Sequence, residues 1–147
     1  MRSFTTQSHT VWDCKYHAVI VPKYRKKKLF GPARQRIGQI IRILCEQRQI
    51  ELLEGHAMPD HMHLVLRIPP RESVADVMGF LKGKSAIRMH YEFGNRKAPT
   101  RQKNFWSRGY FVSTVGIDEE VIREYVRNQD QQDKYEDGNP QLDLYWN

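Results

Sequence analysis

At 147 residues the chain is long enough to bury one core and too short for two ordinary domains. Hydrophobic residues at 39% and charged residues at 28% exclude a disordered tail, and no run approaches the roughly 18 consecutive apolar residues that cross a bilayer. Lys and Arg number 24 against 17 acids, a net charge of +7 that favours a polyanionic partner over a neutral metabolite.

The opening MRSFTTQSHT lacks the apolar centre of a secretory signal, so a cytoplasmic protein with no membrane segment, one domain over residues 1–147, is expected. From Thr10 to Pro22, TVWDCKYHAVIVP alternates Trp12, Cys14, Tyr16, Ala18 and Ile20 with more polar positions, which predicts a half-buried strand closed by its proline. The basic run KYRKKK follows, and then Ile37, Ile40, Ile41 and Leu44 at helical spacing predict a helix from about Ala33 to Gln49. IELLEGHAM, from Ile50, is a weakly patterned second strand; a turn at Pro59 and Asp60 leads into a third, His61 to Ile68, ended by Pro69-Pro70. The two are expected to form a hairpin. Ser73 and Asp76 signal a helix start, continued by Val74, Val77, Met78 and Leu81 to about Tyr91, although Gly79 and Gly83 weaken it. After a polar, basic loop the strand Phe105 to Val115 is expected. A last helix begins near Asp118, with Ile117 and Ile122 as a hydrophobic staple.

Strand, helix, strand, strand, helix, strand is the ferredoxin-like or RNA-recognition-like order. The fold class is therefore α+β: a βαββαβ antiparallel sheet with two helices on one face, plus a C-terminal helix. The apolar residues of the closing GNPQLDLYWN are expected to pack on the body or on a second subunit. Cys14 and Cys45 form no CxxC pair, lie in apolar periodic stretches and are given no catalytic role. Basic groups recur near Tyr24, Tyr91, Phe105, Trp106 and Tyr110, a combination suited to a nucleic-acid surface with stacking positions.

Period two in the third strand puts Met62, Leu64, Leu66 and Ile68 on one face and His61, His63, Val65 and Arg67 on the other. The apolar set must face the covering helices, so the two imidazoles share the opposite face and can converge on one ion or one phosphate. Such a pair alone is more often structural than metal-binding. On the last helix Val121, Ile122, Tyr125, Val126 and Gln129 form one stripe, with Tyr125 and Gln129 one turn apart. The plain reading is a packed aromatic and a boundary amide. With the histidines present, Gln129 can instead complete the ligands of an ion and Tyr125 can attack an electrophile the ion polarises.

His61-Met62-His63 followed by Tyr125-Val-Arg-Asn-Gln129 resembles the single-tyrosine HUH transposases of small bacterial insertion sequences, and the likeness extends to CKYHAVIVPKYR, GFLKGKSA and FWSRGYFVSTVG. The resemblance implies that His61, His63 and Gln129 bind a divalent cation, Mg²⁺ or Mn²⁺, and that Tyr125 is the nucleophile on a phosphate of single-stranded DNA. It implies a 5′-phosphotyrosine intermediate, DNA hairpins recognised at the element ends, and a homodimer whose tyrosine helix can complete the partner's histidine site. Lys23, Arg25, Lys26, Lys27, Lys28, Lys82 and Lys84 are the candidates for DNA-backbone contacts. Imidazole suits later metals better than Mg²⁺, so Mn²⁺ is chemically at least as good. No residue is singled out as the base for Tyr125 beyond the position of Asp60. The absence of a GxxxxGK[ST] loop agrees with a joining reaction that needs no ATP. Two alternatives stand beside this: a non-catalytic single-stranded nucleic-acid-binding module on the same fold, and a non-mobile, repeat-associated cousin with the same chemistry.

Overall fold

The computed structural model describes residues 5–7, 9–23, 29, 31–94 and 105–137. A small hairpin of β1 (Thr5–Gln7) and β2 (Thr10–Trp12) precedes the main sheet. That sheet is four-stranded and antiparallel, built from β3 (Lys15–Ile20), β4 (Glu51–Met58), β5 (His61–Arg67) and β6 (Phe111–Ser113) in the order β4-β5-β3-β6. With helices α1 (Gly31–Gln47) and α2 (Val74–Phe93) after the first and third of these strands, it is the expected α+β, ferredoxin-like arrangement.

One face of the sheet carries the main core. Ala18, Ile20, Met62, Leu64 and Leu66 pack against Ile37, Ile40, Ile41 and Leu44 of α1 and Val77, Met78 and Leu81 of α2, all of them buried. Helix α1 ends in a two-bond cap, Ile50 N–H to the Cys45 carbonyl at 2.9 Å and Gln49 N–H to that of Glu46 at 3.1 Å, with Gln49 left-handed at φ 60°. Helix α2 opens as its sequence signalled, the Ser73 hydroxyl accepting from Asp76 N–H at 3.0 Å.

The expected first strand is broken. The chain leaves the ladder at Asp13 and Cys14, where the Asp13 carboxylate meets buried Arg67 (3.3 Å) and Lys15 (3.6 Å). The expected last strand is cut short too. Trp106 bridges to Pro22 and sends its indole N–H to the Ser85 hydroxyl (2.9 Å), and Gly109 then turns with φ 76° before β6 begins.

Helix α3 (Glu119–Asp137) lies on the other face. Asp118 caps it, Oδ1 accepting from Val121 N–H at 2.9 Å, and Ile122 and Val126 close over Val19 and Val21 of the β3 segment. Ile117 packs in the same cluster as Ile122, as the staple requires. Val121, assigned to the apolar stripe from its spacing, is 38% exposed. Among the described residues no helix is long and apolar enough to cross a membrane.

Candidate active site

The site face is laid out by strand register. His63 on β5 stands opposite Val19 on β3 and His56 on β4, while Val19 stands opposite Phe111 on β6, so these four side chains form a row across the sheet. His61 lies two residues from His63 on the same face, as the alternation requires. His17, opposite Val65, sits diagonally from His63 and brings its Nδ1 to 3.4 Å from His63 Nε2. Ring centroids of His17 and His56 lie 5.5 Å and 6.4 Å from that of His63.

The structure thus adds two imidazoles to the expected pair. A β-bulge at Leu53 shifts the register of β4 between Leu52 and Glu54, which is why IELLEGHAM shows no clean alternation. Beyond the bulge Gly55 and Ala57 oppose Leu64 and Met62 on the core side, and His56 is set beside His63. For His17 the signal was available: it alternates with Tyr16 and Ala18, on the side that β5 fills with histidines.

Electrostatics favour a neutral imidazole at His63. Burial, and after it the neighbouring His17, His56 and His61, hold its pKa below the ordinary histidine value. His61 is oriented by Asp60, whose Oδ1 lies 2.9 Å from its Nδ1; in the neutral ring with Nδ1 as the donor to that carboxylate, Nε2 carries the lone pair. Asp60 therefore has an orienting contact with His61. Among the described residues no three His, Cys, Asp or Glu side chains converge closely enough to hold a metal ion.

Tyr125 and Gln129 are both half-buried on the inner side of α3. The Tyr125 ring meets Phe111 edge-on at 5.7 Å. Burial, with a smaller contribution from the Asp133 carboxylate, pushes its phenol up to about 12. Gln129 Nε2 donates to Asp133 Oδ1 at 3.2 Å. At 100° per residue, Arg123 and Arg127 project from the flank of α3 opposite to Tyr125. There they line a cleft of about 180 Å³ with Asp60, His61 and Val126.

Of the candidate DNA contacts, Lys84 is exposed and Lys23 is buried. Arg25, Lys26, Lys27 and Lys28 lie outside the described residues. Lys82 is half-buried: its ammonium donates to the carbonyls of Ser107 (2.8 Å) and Gly109 (2.6 Å), tying α2 to the turn before β6, and burial pulls its pKa down to about 8. A larger groove of about 650 Å³ between α1 and β4, lined by Arg34, Gln35, Gln39 and Arg42, offers basic and amide groups that the charge pattern did not single out. Cys45 is buried with its thiol pushed up to about 11, in keeping with a packing role.

The sheet thus carries its histidines on the face covered by α3, the helix that bears Tyr125 and Gln129 one turn apart. The profile of the family described as "Transposase IS200 like" matches residues 10–129. The transposase for insertion sequence element IS200 of Salmonella typhimurium is 44% identical over 127 residues, covering 86% of this chain and 84% of that one. The ISDra2 transposase TnpA of Deinococcus radiodurans is 31% identical over 120 residues, covering 81% and 86%. A crystal structure of a Deinococcus radiodurans R1 protein assigned as a transposase superposes with a TM-score of 0.74 at 30% identity, over 85% of this chain and 97% of that one. A repeat-associated tyrosine transposase bound to a REP hairpin shares the fold at 13% identity and a TM-score of 0.53, over 83% and 68%. The chain belongs to the IS200-like transposase family, and it is a DNA-cleaving and rejoining enzyme.

Proposed function

We propose that this enzyme, acting as a single cytoplasmic domain, cuts and rejoins single-stranded DNA at insertion-sequence ends through a 5′-phosphotyrosine on Tyr125. The Tyr125 oxygen attacks phosphorus, the bond from phosphorus to the 3′ oxygen breaks, and the phenol proton is lost as the leaving oxygen becomes a 3′-hydroxyl. A second 3′-hydroxyl later displaces the tyrosine, so the energy of the diester is retained without a nucleotide. The observation that carries this reading is the position of Tyr125 and Gln129 on α3, which crosses the histidine-bearing face.

His61, His63 and Gln129 are assigned as ligands of a divalent cation, Mg²⁺ or Mn²⁺. The donors fit: His63 favours its neutral form, His61 has Nδ1 occupied by Asp60, and the Gln129 amide oxygen is the end turned away from Asp133. When bound, such an ion supplies charge withdrawal from a non-bridging phosphate oxygen. The protein's own residues do the rest: the imidazoles fix where the phosphate sits, and α3 delivers the nucleophile.

The phenol as packed on Phe111 is a weak nucleophile, since its proton is held more tightly than in water. Phe111 and His63 flank Val19 on either side, two strand spacings or about 10 Å across the sheet. The flank of α3 facing His61 carries arginines, with Tyr125 on the other. This arrangement supports a homodimer in which α3 presents Tyr125 to the histidines of a second subunit. DNA hairpins at the element ends are the proposed recognition target, with Lys84, the run from Arg25 to Lys28 and the Arg34–Arg42 groove as backbone contacts.

The test is a labelled single-stranded oligonucleotide carrying the ends of the flanking DNA, incubated with protein in Mn²⁺ or EDTA and resolved under denaturing conditions. A covalent adduct that requires the ion and vanishes in Tyr125→Phe is expected. Cleavage persisting in Tyr125→Phe would remove that residue from the nucleophile role.

A further inference from the structure

Asp133 is a carboxylate with no solvent exposure, on the same helix as the nucleophile and one turn beyond Gln129. Burying a charge is costly unless donors surround it, so such a group is retained only with partners in place. Among the donors aimed at it, the Ser107 hydroxyl bonds Oδ2 and Gln129 Nε2 bonds Oδ1 at 3.2 Å. Lys82 adds a positive charge to the same neighbourhood, with its own ammonium on the Ser107 carbonyl.

A carboxylate accepts and never donates, so it distinguishes the two ends of an amide. Facing Asp133, Gln129 can only turn its NH₂ inward, which leaves Oε1 as the end available to a cation. We propose that Asp133 is a positioning residue for metal binding: it fixes the amide of Gln129 so that its oxygen is the ligating atom. This rests on Gln129 being a metal ligand and goes beyond it, since neither the tyrosine nor the histidine motif includes Asp133. The pairing has the logic of a carboxylate that fixes the tautomer of a metal-binding histidine.

The experiment titrates Mn²⁺ into the full-length protein and follows the loss of the free-ion electron paramagnetic resonance signal, with thermal unfolding measured alongside. Asp133→Ala is expected to weaken Mn²⁺ affinity about tenfold, the lower end of the range for losing such an outer partner. Ser107→Ala removes the Ser107 hydrogen bond to the same carboxylate, and is expected to lower the melting temperature while leaving Mn²⁺ affinity at the parent value. Gln129→Glu places two carboxylates face to face and is expected to bind Mn²⁺ less well despite its added charge. The exchange Gln129→Glu with Asp133→Asn restores a donor opposite an acceptor, and is expected to recover the affinity.

The proposal is overturned if Ser107→Ala weakens Mn²⁺ binding as much as Asp133→Ala, because Asp133 would then act by docking the helix. It is overturned equally if the double exchange fails to recover binding while remaining folded. Unchanged Mn²⁺ affinity in Gln129→Ala is a separate failure, that of Gln129 as a ligand. Should Asp133→Ala not fold, the Gln129→Glu single and double variants decide the matter alone.

Discussion

The two faces of the central sheet are filled by different means. On the α1 and α2 side a continuous cluster of Ile, Leu, Val and Met excludes water over the length of β3 and β5. On the α3 side four buried aliphatic residues, Val19, Val21, Ile122 and Val126, are followed along the helix by half-buried Gln129 and buried Asp133, and the neighbouring strands carry histidines. The first face stabilises the domain, since apolar burial scales with area. The second holds a helix through a short apolar contact and a few directed hydrogen bonds, the pattern of an element that opens more readily than the main core.

The contrast can be broken most sharply at Leu64, which is fully buried in the main core. Leu64→Ala should cost about 2–5 kcal/mol in denaturant unfolding, and the loss should be global. Val126→Ala, on the opposite face, should cost about 1.5 kcal/mol, two methylene equivalents of burial. Its effect should appear as faster amide exchange confined to α3; an equal rise in exchange in α1 and α2 would show that the two faces unfold as one unit. Removing the cap with Asp118→Ala should cost about 1 kcal/mol and fray the first turn of the same helix.

The smallest effect sharpens the comparison through pH. The Tyr125 phenol is pushed up to about 12 from an ordinary value of 10. In the window between these values the folded protein keeps a proton that the unfolded chain releases. The contribution to stability is therefore whole below about pH 10 and is lost as pH climbs toward 12. Subtracting the alkaline absorbance titration of Tyr125→Phe from that of the parent should isolate this late phenolate. A difference curve centred at 10 would mean that α3 leaves Tyr125 open to water.

The alternation in HMHLVLR set the orientation of β5, and with it the site face, because a one-residue slip would place every leucine in water. The helix stripe likewise placed Tyr125 and Gln129 correctly on the inner side of α3. What escaped was long-range. His56 is concealed by the bulge at Leu53, the break at Asp13 depends on an ion pair with Arg67 far along the chain, and the bonds of Lys82 to the Ser107 and Gly109 carbonyls join segments distant in sequence. Asp133 repeats the four-residue spacing from Tyr125 through Gln129, but an acid on an apolar stripe acquires meaning only when its donors are known.

The bulge at Leu53 has a consequence for life in a crowded solution. β4 is eight residues long and forms an outer edge of the sheet, the kind of strand that offers unpaired backbone groups to any extended neighbour. The extra residue kinks and twists that edge, so a straight strand from another molecule cannot follow its ladder. Deleting Leu53 would leave the remaining partners of β4 opposite the same residues of β5 and restore strict alternation. The single additional leucine therefore bends the edge of the same strand that sets His56 beside His63.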